Sequence, residues 1–324
     1  LAFTEDIEAA EIINQAEPGI FKLSSDQIKT GFIHIKQALA ESFDRLDEMH
    51  KNGEQLSGVL TGFTDLDNIL AGLHNSNLVI LAARPGQGKT AFTLNIAQYV
   101  ATVSKLPVGI FSLEMSKEEL VDRLLVAQAD IDAWKLKTRT LSEDEGQKLA
   151  QAMGELADAP IYIDDTPGIS LPEIRTKARR LQLEHGLKLL IIDYLQLVEP
   201  GKKLENRVQE VTHISKNLKV LARELKIPVI AASQLSRAVE NRGDKKPQLA
   251  DLRESGSIEQ DADVVMFLYS PDEEFMPQRI VNVLIAKHRN GAVGEKELLF
   301  RGDRIKFYNV ERRGGQLSEV NPTE

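Results

Sequence analysis

Between residues 24 and 50 apolar side chains return at every third or fourth position: Ile28, Phe32, Ile35, Leu39, Phe43, Leu46 and Met49. That period follows one face of an α-helix, and Ser24-Ser25-Asp26 supplies a capping signal at its start. The spacing predicts one long amphipathic helix, with a polar linker after it at 51–58. Amphipathicity does not name a partner: the stripe packs either on its own domain or on a neighbouring subunit. A shorter helix is expected at 5–16, before the Pro18-Gly19 turn.

From residue 78 the pattern changes. Apolar runs at 78–83, 108–113, 161–163, 189–192, 229–232 and 264–268 alternate with helical stretches, the signature of a mostly parallel sheet. Ser116 with Glu119, Ser142 with Glu145 and Ser170 with Glu173 have capping-box spacing and mark three helix starts. Shorter runs at 280–286, 295–300 and 306–310, parted by Arg-Asn-Gly and Arg-Gly-Asp turns, predict an antiparallel extension. The fold class is therefore α/β. The divisions expected are a short arm at 1–23, linker helix and flexible linker at 24–58, one large domain at 59–314 and a polar tail at 315–324.

The 324 residues, 42% hydrophobic, suffice for one large domain and an appendage. Without cysteine, neither a disulfide framework nor a thiolate zinc site is possible, and the chain reads as cytoplasmic. No run approaches the roughly 18 apolar residues that cross a bilayer, and Glu5, Asp6 and Glu8 are unlike a signal peptide, so no membrane association is expected. Opening on Leu1 rather than methionine, the sequence reads as a fragment. A net charge of -9 and 5% aromatic residues argue against polyanion binding over the whole surface and against a broad stacking platform. Any nucleic-acid contact must be local.

The clearest chemistry lies in Ala83-Arg84-Pro85-Gly86-Gln87-Gly88-Lys89-Thr90, between a buried strand and a helix. In such a loop backbone N–H groups wrap phosphates, the lysine meets the terminal phosphates and the threonine hydroxyl meets Mg²⁺. The strict pattern has glycine where this chain has Ala83. Asp193 closes an apolar strand at its carboxyl end, where ligands of parallel sheets bind, and is suited to hold Mg²⁺. Glu114 follows its strand in the same way; it is suited to a general base, and equally to an exposed helix-leading acid. Gln234 ends another strand on that rim, where an amide can sense a γ-phosphate. Lys287 and Arg289 project together before the Asn290-Gly291 turn; standing alone they read as solvated cations, though a neighbour's phosphate is within their chemistry.

Six blocks, taken in order, carry a family resemblance: Gly-Gln-Gly-Lys-Thr, Ser-Leu-Glu-Met-Ser at 112–116, Ile-Ile-Asp-Tyr-Leu-Gln-Leu at 191–197, Ser-Gln-Leu-Ser-Arg at 233–237, the segment 251–263 and Ala-Lys-His-Arg-Asn-Gly at 286–291. Over nearly the whole chain they resemble the DnaB family of bacterial replicative helicases. The resemblance implies a RecA-like ATPase motor behind a linker helix, in a ring usually of six subunits, with ATP and Mg²⁺ between neighbours and single-stranded DNA in the channel. It implies an enzyme that unwinds duplex DNA at the nucleoid; the rivals are a RecA-like regulatory or strand-exchange ATPase and a nucleotide-gated DNA clamp. By position, Arg84, Pro85, Gly86, Gln87, Gly88, Lys89, Thr90 and Ala91, with Arg123, resemble the nucleotide site; Thr90 and Asp193 the metal residues; Glu114 the catalytic base; Gln234 the γ-phosphate sensor. Lys287 and Arg289 match the cations delivered in trans. Arg253, Glu254 and Gly256 match a loop contacting the DNA backbone, preceded by four cations and two anions across 237–247. Loader and primase are the further partners implied, although the family's helical amino-terminal collar has no counterpart in this sequence.

Overall fold

The computed structural model describes residues 58–313, apart from 237–238, 240–241, 243–245, 253–255 and 272–275, with 316–320 and eight residues between 34 and 43. The short helix expected at 5–16 and most of the one at 24–50 lie outside these. The chain divides into two units, Leu1–Gln55 and Leu56–Glu324. In the first, the described backbone at 35–37, 39–40 and 42–43 is helical.

The second unit is built on a ten-stranded sheet ordered β10-β9-β8-β7-β6-β1-β5-β4-β2-β3. Six strands are parallel: β1 (Leu78–Ala83), β2 (Val108–Ser112), β3 (Ile161–Asp164), β4 (Leu189–Asp193), β5 (Val229–Gln234) and β6 (Val264–Tyr269). Continuous apolar runs suit such strands because helices cover both faces. Leu78, Ile80 and Ala82 of β1 join one core cluster, and Val79, Leu81 and Ala83 join the other.

On the second of these faces lie α1 (Thr64–Leu70) and α2 (Lys89–Thr102), with Leu120 and Leu124 of α3 (Lys117–Ala129). The opposite face receives α6 (Leu171–His185) and α7 (Arg207–Leu225). Between α3 and β3 run α4 (Ala133–Thr138) and α5 (Glu143–Ala157), and α8 (Gly256–Asp261) precedes β6. The three capping boxes stand where the spacing predicts them, at the starts of α3, α5 and α6. In the last, Glu173 takes both the amide and the hydroxyl of Ser170.

Four antiparallel strands, β7 (Gln278–His288), β8 (Gly294–Arg301), β9 (Lys306–Arg313) and β10 (Gln316–Val320), extend the sheet beyond β6. β10 corrects the expectation of a tail at 315–324. Leu317 stands opposite Arg312, and backbone pairing to β9 defines a strand that no apolar run announces. The extension also reaches back into the core. Phe307 of β9 stacks on Phe300 with centroids 4.4 Å apart and meets Phe92 of α2 edge-on at 5.3 Å, while Phe92 stacks on Phe63 at 4.9 Å. This aromatic floor lies under the turn joining β1 to α2.

Candidate active site

That turn has a backbone only glycine accepts readily. Gly86 and Gly88 have φ of 79° and 86°, in the left-handed region. A Cβ on Gly88 would also stand 2.9 Å from Phe307 Cζ. Gly88 caps α2 without a side chain, so the first-turn amides of a 14-residue helix have no side-chain cap and its N-terminal partial charge faces the cleft. Arg84 Nη1 donates to the Leu235 carbonyl at 2.8 Å, and Arg279 of β7 donates to the Gly86 carbonyl while lying 5.1 Å over the Phe300 ring. The loop is thus tied to β5 on one side and β7 on the other.

Asp193 is 6% exposed at the carboxyl end of β4, opposite Ser112 of β2. Thr90 Oγ1 donates to its Oδ2 at 2.6 Å, and Lys89 Nζ stands 3.5 Å from its Oδ1. The same ammonium lies 4.2 Å over the Tyr194 ring. Burial, then the charges of Glu114 and Asp193, pushes the Tyr194 phenol above its ordinary value, so it stays protonated at neutral pH.

A cleft of about 320 Å³ opens here, lined among others by Lys89, Thr90, Glu114, Arg123, Gln234 and Phe300. Glu114 is exposed on its rim, two residues beyond β2, where Ser112 Oγ pins the turn by donating to the Met115 carbonyl at 2.6 Å. Gln234 pairs with Ala83 in the β1–β5 register. Its backbone is bracketed by Gln196, whose amide also donates to Ser233 Oγ at 2.9 Å. The cleft therefore gathers Arg84, Pro85, Gly86, Gly88, Lys89, Thr90, Ala91, Glu114, Arg123 and Gln234. Gln87 sits in the same loop, its amide 3.3 Å from the Arg84 carbonyl. Sequence reasoning missed Arg279 and Phe300, which have no local signature, and gave no role to Tyr194 and Gln196, although both lie in the family-like stretch 191–197.

Lys287 and Arg289 are not in this cleft. Ala83 is in register with Leu268 of β6, whereas Lys287 is in register with Val265, three residues nearer that strand's start. At about 3.3 Å per residue, Lys287 lies roughly 10 Å down the sheet from the root of the loop, with Arg289 beyond the strand end. The Lys287 ammonium donates to the carbonyls of Glu259 and Ala262, and burial, then the Arg289 charge, lowers its pKa. Arg289 pairs with Asp263.

Gly256 opens α8, while Arg253 and Glu254 lie outside the described residues. Of the preceding cations, Arg242 pairs with buried Asp251 and Lys246 with Glu295 of β8. These two act as ties within the fold as well as sources of positive charge. No helix among the described residues is long and apolar enough to cross a membrane.

Residues 58–309 match the DnaB-like helicase C terminal domain. The replicative DNA helicase DnaC of Bacillus subtilis is 49% identical over 315 residues, 96% of this chain and 69% of that protein. The replicative DNA helicase DnaB of Geobacillus stearothermophilus is 48% identical over the same coverage. Among solved structures, an ATPase domain superposes with a TM-score of 0.80 at 42% identity, covering 87% of this chain and 100% of that one. A DnaB-like replicative helicase, described with its interactions with primase, gives 0.77 at 39%, covering 93% and 74%. A RecA-like sheet with its glycine loop, its lysine and threonine against a strand-end aspartate, and a family match across most of the larger unit lead to one assignment: this chain belongs to the DnaB-like helicases, through their C-terminal domain.

Proposed function

We propose that this chain is the ATP-hydrolysing motor of a replicative DNA helicase, working on the nucleoid as a ring of copies around single-stranded DNA. The observation that carries the reading is Thr90 hydrogen-bonded to Asp193 at 2.6 Å, at the head of the glycine loop with Lys89 beside it. Gly86, Gly88 and the N-terminus of α2 receive the phosphates, and Lys89 meets the terminal ones. Arg84, Pro85, Gln87, Ala91 and Arg123 complete the nucleotide's surroundings.

The donor set suits Mg²⁺. Thr90 and Asp193 offer hard oxygens, and Asp193 Oδ1 is buried with no hydrogen bond among the described residues. The ion, when bound, offsets charge on the phosphate oxygens. Glu114, on the rim, orients the attacking water and takes its proton. Gln234, fixed by the β1–β5 pairing, reads the γ-phosphate. Lys287 and Arg289, placed away from their own loop, serve the nucleotide of a neighbouring copy. Arg253, Glu254 and Gly256 follow the DNA backbone with main-chain amides and one cation.

The large domain spans 59–314 in this reading, and the helix at 24–50 docks on the adjacent motor. Ile35, Leu39 and Phe43 are 65%, 61% and 70% exposed at helical spacing, an apolar stripe in need of cover. A Leu39→Asp, Phe43→Asp variant that kept its rings intact would remove that docking. Loader and primase are the partners expected of such a motor.

The deciding experiment is steady-state ATP hydrolysis, with and without single-stranded DNA, beside strand displacement from a forked duplex, for the unaltered chain, Lys89→Ala and Arg289→Ala. DNA-stimulated turnover and unwinding that both substitutions abolish are expected. Turnover indifferent to DNA and lost only in Lys89→Ala would end the helicase reading.

A further inference from the structure

At the end of the sheet away from the nucleotide loop, one carboxylate joins three elements. Asp263, with a side chain 4% exposed, stands just before β6. Its Oδ2 accepts the Leu78 amide at 2.8 Å, at the start of β1, and pairs with Lys219 of α7. The Lys219 ammonium also donates to the Ser76 carbonyl at 2.8 Å. Asp263 Oδ1 pairs with Arg289 Nη1 at 3.1 Å, and the Asp263 carbonyl accepts the Arg289 amide at 2.8 Å. Arg289 Nη2 donates to the Gln260 carbonyl of α8 at 3.2 Å.

Lys219 alone would balance the charge of Asp263. Arg289 is a second cation on the same carboxylate, leaving the triad positive. Its side chain is 49% exposed where the carboxylate is sealed. A guanidinium carries five N–H donors in a rigid fork. Here Nη1 is held by Asp263 and Nη2 by the Gln260 carbonyl, two contacts for five N–H groups on a half-exposed side chain. That is the arrangement of a preorganised cation: rotamer freedom is lost before any ligand arrives, and donors remain.

We infer that Asp263 is the positioning residue for Arg289, and that Lys219 locks the carboxylate by holding its other oxygen. The triad then fixes the angle at which the guanidinium meets the triphosphate of a second copy. The inference rests on the trans role proposed for Arg289 above and adds to it two residues that touch no nucleotide.

The test is DNA-stimulated ATP turnover of the full chain for Arg289→Ala, Asp263→Asn, the double variant and Lys219→Met, with ATP affinity measured for each. Arg289→Ala is expected to lower kcat about 10³-fold, the lower range for an arginine supplied in trans. Asp263→Asn should lower kcat about 10²-fold, the scale of an ångström-sized misplacement, at unchanged ATP affinity. The double variant should fall no lower than Arg289→Ala, because Asp263 acts through it. Lys219→Met reads the triad from its other side and serves if Asp263→Asn does not fold: a kcat loss absorbed by Arg289→Ala is expected. Full turnover in Arg289→Ala would overturn the trans role and this inference with it. Collapse in Arg289→Ala beside normal turnover in Asp263→Asn or Lys219→Met, or losses that multiply, would overturn the inference and leave the trans role standing.

Discussion

Thr90 Oγ1 donates to Asp193 Oδ2 at 2.6 Å, so the first turn of α2 is joined to the carboxyl end of β4, two strands from the root of the loop. One link sets the separation of the lysine loop from the acid, and both partners carry oxygens of the proposed Mg²⁺ site. Thr90→Ala removes the hydroxyl from each task, whereas Thr90→Ser keeps it. Apparent Mg²⁺ affinity in the hydrolysis assay is expected to fall about 10- to 100-fold in Thr90→Ala, the scale for losing an ordered metal-site partner, and little in Thr90→Ser. Equal Mg²⁺ dependence in all three proteins would remove Thr90 from the metal site.

Gly88 meets two constraints, a left-handed backbone and Phe307 beneath it. Gly88→Ala should destabilise the domain by about 1–3 kcal/mol, the cost of a non-glycine residue in that region. Nucleotide affinity should drop as well, because the loop must shift off the aromatic floor. Thermal denaturation and equilibrium nucleotide binding read the two effects; an unchanged melting temperature would mean the loop relaxes freely.

The floor itself can be weighed. Phe307 is fully buried among Phe63, Phe92 and Phe300. Phe307→Ala should cost about 3–5 kcal/mol in urea unfolding. Weaker nucleotide binding is expected even where the variant remains folded, because the glycine loop rests on this ring. Stability lost with undiminished nucleotide affinity would show that the floor supports the core and not the loop.

Acid should loosen the start of α5 in a defined range. The Lys135 ammonium, then the Ser142 amide, holds the Glu145 carboxyl down at about 2. A carboxylate lowered by folding contributes stability above its unfolded pKa, near 4.5, and loses it as the pH falls toward the folded value. Between those limits the unfolding midpoint should decline more steeply in the unaltered chain than in Glu145→Gln, and salt should shrink the difference because the pair is exposed. Parallel acid profiles for the two proteins would exclude Glu145 as a contributor.

Sequence periodicity revealed the parallel strands because both faces are buried, leaving runs such as Leu78–Ala83 wholly apolar. The capping boxes were legible because each is closed within four residues. The glycine loop was legible for the same local reason. What stayed hidden depends on neighbours distant in the chain. Arg279 meets Gly86 across 193 positions. Phe307 reaches Phe92 only once the sheet is ordered. The strand at 316–320 is made by backbone pairing, which has no side-chain pattern to betray it. Motif order could put Lys287 and Arg289 together, but only the antiparallel register sets them away from the loop of their own chain.

That separation has a consequence for symmetry. A contact that brings the Arg289 end of one copy to the glycine-loop end of another joins two different surfaces, so it is heterologous and repeats head to tail. Where the two ends lie on separate faces, two copies leave one surface of each kind unused; a two-fold pair serves both only if one reciprocal patch holds both ends. Under the trans role proposed for Arg289, a head-to-tail repeat supplies every glycine loop with a cation only when it closes on itself.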